Sequence, residues 1–179
     1  VVNGLALGVA VVLVALGLTI IFGMLDVINM SHGEFYAIGA YAALALGAAG
    51  ISFWFLLVLV PVLMVPLGMA AERLLIRPVF DSRDRHVTTL LVTFGLALVV
   101  EDLLKVAFGP NTQRPPTPIP GATELAGIIV PNYRLFLIVV GAAIVSGVAY
   151  VVYRTRLGAM VRAAAFDRNM AASLGVPVA

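Results

Sequence analysis

Long uncharged stretches separated by short polar segments make up most of the chain. Residues 1–25 contain no ionisable side chain and predict one membrane span. Residues 35–71 are also uncharged, but a helix of that length would measure about 56 Å, whereas the hydrocarbon core of a bilayer is about 30 Å thick. This second stretch therefore predicts two spans, 34–49 and 53–76, joined by a turn at the glycines between them.

Two more apolar segments and a proline-rich region follow. Residues 87–108 and 135–153 predict a fourth and a fifth span. Between them, residues 109–134 contain six of the 10 prolines, and proline interrupts helices because it lacks the backbone N–H donor. We therefore predict an external loop over 109–134, with a small hairpin around its apolar piece, residues 125–130. The remaining segment, 154–179, lies beyond the last span.

Small residues recur at four-residue spacing on the first and fifth spans. Gly4 is followed by Gly8, and Ala143 is followed by Gly147. Membrane helices use such pairs to bring their backbones close together. The spacing therefore predicts that these positions lie at helix–helix contacts.

The composition agrees with this pattern. Hydrophobic residues make up 62% of the chain, charged residues 11%, and the mean hydropathy is +1.10. Soluble domains carry about 25% charged residues, so this chain has too few ionic side chains to cover a water-facing surface, and it is too hydrophobic to be disordered. We predict an all-α polytopic transmembrane helix bundle in the lipid bilayer, with residues 1–179 forming a single membrane domain. The absence of cysteine excludes disulfides and thiolate chemistry.

The distribution of the basic residues predicts the orientation. Eight of the 11 basic residues lie in two clusters, at 73–85 and 154–168, and two predicted spans separate the clusters. The positive-inside rule places both clusters in the cytoplasm. The loop 109–134 and the N-terminus are then external. The formal net charge of +2 is too small to suggest a nucleic-acid partner.

Motifs for common chemistry are absent from the sequence. A Walker A loop requires Gly-x4-Gly-Lys-Ser/Thr, and the one lysine, Lys105, follows Asp-Leu-Leu instead. His32 and His86 lie too far apart in sequence for a helical metal pair, and no Gly-x-Ser-x-Gly nucleophile motif occurs. We predict no catalytic residue, no metal site and no cofactor, so that energy must come from an ion gradient or from a partner.

A dense polar cluster lies between the first and second spans. Its candidate functional residues are Asn29, Ser31, His32 and Glu34. Polar groups beside membrane-depth helices are costly unless they are satisfied, so these residues are candidates for a gate or a polar hinge. The alternative is a capping box, with Ser31 at the N-cap and Glu34 three residues later. Capping is favoured over a proton relay, because one histidine and one glutamate do not form a chain of titrating groups.

The fourth span closes with charged residues. Glu101 and Asp102 lie near its predicted external end, one turn before Lys105. They predict an interfacial acidic pair that faces water or solvates Lys105, in preference to a coupling-ion site.

The C-terminal segment predicts a short cytoplasmic helix. Residues 157–174 are good helix formers, and Gly175 and Pro177 form a stop signal. Phe166, Met170 and Leu174 follow helical spacing and form an apolar stripe. Such a helix lies on the membrane surface or docks into a partner's groove, and the residues alone leave both alternatives open.

This segment also resembles the cytoplasmic loop of ABC importer permeases. In those proteins an Ala-Ala pair followed by Gly marks the short coupling helix that inserts into the ATPase, and 171–175 carries that pattern. More specifically, Gly-Leu-Thr-Ile-Ile-Phe-Gly at 17–23, followed by 27–41, resembles the signature of the LivH-type branched-chain amino acid permease family. Further matches follow in the same order and extend the likeness over the whole chain: Arg77-Pro78, Thr93 to Leu96, Phe108-Gly109-Pro110 and Arg154 to Gly158.

The resemblance implies a permease subunit of an importer for branched-chain or related amino acids. The implied partners are two cytoplasmic ATPase subunits, a second homologous permease and a periplasmic or extracellular substrate-binding protein, and the implied location is the bacterial cytoplasmic membrane. The implied coupling residues are Arg162, Phe166, Asp167, Arg168, Met170, Ala171, Ala172 and Gly175. Phe166 departs from the family, which usually carries an acidic residue there. Because the family has about eight spans, we expect this chain to be a five-span fragment.

Three other interpretations remain open. A related permease for urea or short amides shares the signature. A secondary transporter would require paired ionisable residues at the bilayer midplane, and four of the five predicted spans contain none. A membrane-embedded enzyme would require convergent acidic or histidine side chains, and only His32 with Glu34 approaches that arrangement. The residues that contact the substrate are not identified by the sequence.

Overall fold

The computed structural model is an all-α protein with one small β-hairpin. The structure describes residues 2–25, 29–79, 82, 84–111, 113, 117–125 and 127–175. The elements in chain order are α1 (Val2–Leu25), α2 (His32–Ala48), α3 (Phe53–Ala71), α4 (Arg85–Phe108), β1 (Ala122–Leu125), β2 (Ile128–Pro131), α5 (Asn132–Arg154), α6 (Arg156–Phe166) and α7 (Arg168–Ser173). A π-helical turn at Glu72–Ile76 and a 3-10 turn at Arg77–Val79 extend α3.

In the described part of the chain, four helical segments are long and apolar enough to cross a membrane. They are Val2–Gly23, Phe53–Val79, Arg85–Phe108 and Asn132–Arg154. The helix α2 has 17 residues, which corresponds to about 25 Å and falls short of the other four. The all-α polytopic class is therefore confirmed, whereas the crossing made by α2 stays a prediction.

The described chain divides into two compact units, residues 1–26 with 117–179 and residues 27–116. In the first unit, α1 packs against α5. The closest approach is at Gly141, where a built Cβ atom would overlap the side chain of Val9 and lie 3.6 Å from Leu13. Farther along, residues 19–23 of α1 lie beside residues 147–152 of α5, so the two helices run parallel. Spans one and five have the same direction if all three predicted spans between them, 34–49, 53–76 and 87–108, cross the membrane.

The predicted small-residue pairs are not the contact positions in the described structure. A Cβ atom built at Gly4, Gly8 or Gly147 would have no neighbour within 4 Å. The close approach occurs instead at Gly141, which is buried. The four-residue spacing was wrong as a guide here because glycine and alanine are abundant on these helices, so matching pairs also occur at positions that make no close contact.

Replacing Gly141 with alanine should weaken the contact between α1 and α5. The new methyl group would meet Val9, whose branched side chain has few alternative rotamers in a helix, and overpacking of this kind costs about 1–3 kcal/mol. Gly147→Ala is the matched control, because open space surrounds it and alanine is the better helix former by about 1 kcal/mol. Thermal unfolding in detergent should show a lower midpoint for Gly141→Ala and an equal or higher one for Gly147→Ala. Equal midpoints for the two variants would contradict this packing.

The hairpin joins the start of α5. Its strands pair antiparallel, with Ala122 opposite Pro131 and Leu125 opposite Ile128, which confirms the hairpin predicted within the proline-rich loop. The first residue of α5 anchors it: the Asn132 amide N–H donates to the Gly121 carbonyl at 3.1 Å, and Thr123 Oγ1 donates to Asn132 Oδ1 at 2.7 Å. Because of this anchor, α5 begins three residues earlier than the predicted span.

In the second unit, α2 packs against both α3 and α4. Gly39 faces Val60 and Met64, and Gly47 faces Leu56, so α2 and α3 run antiparallel. A residue just before α2 contacts the middle of α4, where the Met30 amide donates to Thr93 Oγ1. Later in both helices, the rings of Tyr41 and Phe108 lie 4.6 Å apart, so α2 and α4 run parallel. These directions are the ones that successive crossings through α2, α3 and α4 require.

The segment after α5 is not the single helix predicted over 157–174. It breaks at Asp167, which adopts an extended conformation with φ of −152° and ψ of 106°. The Asp167 side chain accepts a hydrogen bond from the Met170 amide at 2.9 Å and so caps a new helix. The predicted apolar stripe is divided accordingly, with Phe166 ending α6 and Met170 lying on α7. The capping hydrogen bond of Asp167 therefore outweighs the propensity of residues 157–174 to form one continuous helix.

Candidate functional site

Polar side chains, rather than apolar ones, are the most completely buried in the second unit. Thr89 is 0% exposed, and Ser31 and Thr93 are each 1% exposed. Asn29 is also buried, whereas Leu56 and Val130 are the only large apolar side chains that are buried among the described residues. This arrangement is typical of a membrane protein, because lipid solvates the apolar surface and polar groups must find partners inside. We call Asn29, Ser31, Thr89 and Thr93 the polar cluster.

Asn29 and Ser31 form the half of the polar cluster that precedes α2. Asn29 Oδ1 accepts two hydrogen bonds, from the Ser31 amide at 3.0 Å and from Ser31 Oγ at 2.7 Å. The predicted capping box is therefore wrong. Ser31 occupies the N-cap position, but its side chain makes no capping hydrogen bond, because its hydroxyl donates back to Asn29.

Thr89 and Thr93 form the half of the polar cluster that lies on α4. The Thr93 hydroxyl donates to the Thr89 carbonyl at 2.9 Å and accepts from the Met30 amide at 3.1 Å. It therefore ties the loop before α2 to the middle of α4. Thr89 Oγ1 donates to the carbonyl of Arg85 at 2.6 Å. In the sequence, Thr93 stands out only as the first residue of the matching motif Thr93 to Leu96, and nothing singles out Thr89.

His32 and Glu34 lie at the first turn of α2, next to the polar cluster. Both are half-buried, and the amide of Glu34 donates to the Ser31 carbonyl at 3.0 Å. A hydrogen bond from the Met30 amide to Thr93 Oγ1 joins the chain just before this turn to α4. Among the described residues, no group of three histidine, cysteine, aspartate or glutamate side chains is arranged to hold a metal ion. The hydrogen bonds of the polar cluster position the start of α2 against α4.

The acidic pair on α4 forms an ion pair with the lysine that follows it. Lys105 Nζ lies 2.6 Å from Glu101 Oε1 and 4.0 Å from Asp102 Oδ1, and all three side chains are substantially exposed. This geometry confirms that the two acidic residues solvate Lys105. Exposed pairs of this kind contribute little to stability, because water screens the two charges.

In the first unit, α6 packs closely against the end of α5. Thr155 caps α6 by accepting from the Gly158 amide at 3.2 Å, and its hydroxyl donates to the Val151 carbonyl at 2.6 Å. Gly158 is buried, and a Cβ atom at this position would overlap the carbonyls of Val151 and Val152. The sequence Thr-Arg-Leu-Gly therefore makes a sharp corner that only glycine fits. Neither this contact nor its partner residues followed from the sequence alone.

Arg162 makes a second contact between α6 and α5. Its guanidinium donates to the Val152 carbonyl and lies 5.7 Å from the centre of the Tyr153 ring, a distance suited to a cation–π interaction. Both partners belong to the last turn of α5, where unpaired carbonyls attract a positive charge. Arg162 thus holds α6 to α5 as one body.

The short helix α7 carries most of the other predicted coupling residues. Ala171 is 3% exposed, whereas Phe166 is 92% exposed, and Met170, Ala172 and Leu174 are also exposed. Gly175 ends the helix with a φ of +81°, which favours glycine. Of the other predicted residues, the side chain of Arg168 and all of Pro177 lie outside the described part of the chain. The described side chains leave an apolar surface, Phe166, Met170 and Leu174, without cover in this chain.

Comparisons with known proteins match the whole chain to one family. The family described as branched-chain amino acid transport system / permease component matches residues 1–179. The high-affinity branched-chain amino acid transport system permease protein BraD of Pseudomonas aeruginosa is 26% identical over 98% of this chain and 61% of its own length. The corresponding LivH proteins of Escherichia coli K12 and Salmonella typhimurium are 28% and 29% identical, each over 97% of this chain and 60% of the relative.

The family match therefore covers the whole of this chain, whereas the aligned part covers only a portion of each relative. The chain spans about three fifths of the length of these curated relatives. No solved structure matches it significantly.

Proposed function

The chain belongs to the branched-chain amino acid transport permease family, and from that premise we propose that it forms part of the translocation path of an ATP-binding-cassette importer. The proposed substrates are branched-chain or related amino acids, as the printed descriptions of its relatives suggest. The chain itself is proposed to be non-catalytic, with ATP hydrolysed by two cytoplasmic partner subunits. A second homologous permease and an external substrate-binding protein complete the proposed assembly in the inner membrane.

The observation that carries the proposal is the corner between α5 and α6. Gly158 and Arg162 hold α6 rigidly against the end of α5, a helix long and apolar enough to cross the membrane. Beyond it, Phe166, Met170 and Leu174 expose an apolar surface. A force applied to that surface would pass to α5 without being absorbed by a flexible link, as alternating access by rigid-body motion requires. We infer that α6 and α7 form the coupling segment, with the ATPase as the partner that covers α7.

The polar cluster is proposed to be a hinge or gate between α2 and α4. Because Thr93 Oγ1 accepts a hydrogen bond from the Met30 amide, a movement of α4 must carry the start of α2 with it or break this part-buried hydrogen bond. Unsatisfied buried donors cost about 1–3 kcal/mol, which is enough to separate two discrete conformations. Asn29 and Ser31 are proposed as its central residues, and His32 and Glu34 as its flank.

Orientation follows the distribution of arginines. The corner between α5 and α6, together with the rest of α6, contains Arg154, Arg156 and Arg162. These arginines favour a cytoplasmic position for the corner. The N-terminus is then external, since α1 and α5 run parallel. The hairpin after Gly121 is external in the same arrangement.

Replacing Gly175 with valine should reduce coupling between transport and ATP hydrolysis. A β-branched residue at a φ of +81° costs about 1–2 kcal/mol and would distort the end of α7. In the assembled transporter, substrate-stimulated ATPase activity should fall about threefold to tenfold, while the amount of assembled complex stays constant.

Gly109→Val is the control for this experiment. Gly109 also has a positive φ, +84°, and open space around a built Cβ atom, but it lies at the end of α4. Its replacement should leave substrate-stimulated ATPase activity unchanged. An equal loss in both variants would argue that general strain, rather than the α7 end, causes the effect.

Substrate class is tested by binding and uptake with the assembled system. Radiolabelled leucine, isoleucine and valine should be taken up, and an excess of urea or acetamide should not compete. Competition by urea would transfer the proposal to the related urea or short-amide permeases.

A further inference from the structure

The charged residues of α4 lie deeper than the interfacial position predicted from the sequence. The contact between the rings of Tyr41 and Phe108 places the end of α4 about 10 Å short of the end of α2 at Ala48. Asp102 lies about 9 Å farther back along α4. With the turn that follows α2 at the membrane surface, Asp102 is roughly 20 Å deep in a hydrocarbon core about 30 Å thick.

The helix α3 gives a similar depth. Gly39 of α2 faces Met64, and Met64 lies near the middle of the membrane-length segment Phe53–Val79. Because α2 and α4 run parallel, Lys105 and Gly39, each within one turn before the ring contact, lie at a similar depth. The charged residues of α4 therefore lie inside the hydrocarbon region, away from both of its surfaces.

These residues remain open after α4 has packed against α2. The side chain of Glu101 is 48% exposed, that of Lys105 is 52% exposed, and that of Asp102 is 80% exposed. We call Glu101, Asp102 and Lys105 the charged face of α4. Glu34, on the first turn of α2, also lies close enough to attract the Lys105 ammonium group. Three carboxylates thus adjoin one ammonium group, and pairing with Lys105 leaves an excess of negative charge.

Neither lipid nor a second copy of this chain suits the charged face. Ionisable side chains at membrane depth are costly in hydrocarbon, so they pair with one another or face a water-filled cavity. A second copy has no basic residue to offer at this depth, because the other membrane-length segments carry theirs toward the ends, as at Arg73, Arg134 and Arg154. Water can solvate the excess negative charge without a matching cation.

We propose that the charged face lines a water-filled part of the translocation path. The inference rests on the transport function proposed above and assigns one side of α4 to the path. Leu98 is 48% exposed and lies one turn before Asp102 on the same side of α4, so it lines the path as well. Leu103 is 61% exposed but lies about 100° farther round the helix, and it faces lipid.

Cysteine labelling in the assembled transporter tests this assignment. Leu98→Cys and Asp102→Cys place single thiols on the proposed path, and Leu103→Cys is the matched control at the same depth, since the sequence contains no cysteine of its own. The probe is a charged, membrane-impermeant methanethiosulfonate, added to transporters in lipid nanodiscs, where it reaches both faces of the bilayer. Because thiols react as thiolates, which form in water, positions 98 and 102 should react about tenfold or more faster than position 103.

The same reagent provides a readout in transport. In proteoliposomes, modification of Leu98→Cys should block uptake of radiolabelled leucine, because the attached group occupies the path. Treatment of Leu103→Cys should leave uptake unchanged. Leu98→Cys retains every charge of the charged face, so it remains informative if Asp102→Cys does not assemble.

Two results would overturn the proposal. One is equal reaction at positions 98, 102 and 103. The other is no reaction at positions 98 and 102 until the protein is unfolded, which would show that protein or lipid covers the charged face. Leucine uptake by the unmodified transporter tests the proposed function, and the labelling pattern in a transporter that is active tests the charged face alone.

Discussion

Replacing Gly158 with alanine should abolish coupling between ATP hydrolysis and transport. The added methyl group would overlap the backbone carbonyls of Val151 and Val152, and backbone atoms inside a helix cannot move aside as a flexible side chain can. We expect the corner between α5 and α6 to open at a cost on the order of 3 kcal/mol. Substrate-stimulated ATPase activity in the assembled transporter should fall by a factor of about 100 if that cost is borne in the coupled transition.

The control variant for Gly158 lies on the same helix. Ala163 is exposed on α6, so Ala163→Ser changes the helix without touching α5 and should retain nearly full coupling. Basal ATPase activity and the amount of assembled complex should be measured for both variants. Normal stimulation in a correctly assembled Gly158→Ala transporter would show that the corner does not transmit force.

Replacing Thr93 with valine should separate the start of α2 from α4. Valine has nearly the same shape as threonine but cannot accept the hydrogen bond from the Met30 amide, so a part-buried donor loses its partner. The expected loss is about 1–3 kcal/mol in the free energy of unfolding. Amino acid uptake should fall about tenfold, because the hinge proposed at the polar cluster loses its link between the two helices.

Thr88→Val is the matched control for the polar cluster. The Thr88 hydroxyl donates to the Asp84 carbonyl at 3.0 Å, one turn earlier on the same segment. Its loss should therefore change the free energy of unfolding by about 0.5 kcal/mol or less. Similar losses of stability and uptake in both variants would contradict the special role of Thr93.

The membrane helices could be predicted from the sequence because charge and length limit them directly. An uncharged stretch of the right length is a span, and the predicted boundaries differ from those of α4 and α5 by only a few residues. The hairpin also followed from the sequence, since the prolines exclude a helix and leave a short apolar piece between two turns. In each case the signal is local.

The site could be predicted only in part because its key contacts are long-range. Asn29 and Ser31 stood out as polar residues beside a span, but their bond to each other replaced the expected capping box. The burial of Thr89 depends on how α2 lies on α4, and the need for glycine at position 141 depends on Val9 of another helix. No periodicity within α4 or α5 contains that information.

The break at Asp167 has a different origin. Both α6 and α7 have helical composition, so the propensities of residues 157–174 favour one helix. The Asp167 side chain caps the Met170 amide, and this bond selects two short helices instead. The segment and its apolar residues could be predicted from the sequence, whereas the break between α6 and α7 could not.

Cross-linking to the ATPase tests the central claim most directly. The sequence contains no cysteine, so Met170→Cys and Leu174→Cys each introduce a single thiol on the exposed surface around α7. In the assembled transporter, both should form cross-links to the ATPase subunits, and Thr123→Cys on the hairpin should form none. Cross-links from the hairpin position, or none from positions 170 and 174 in an assembled and active complex, would contradict the assignment of α6 and α7 as the coupling segment.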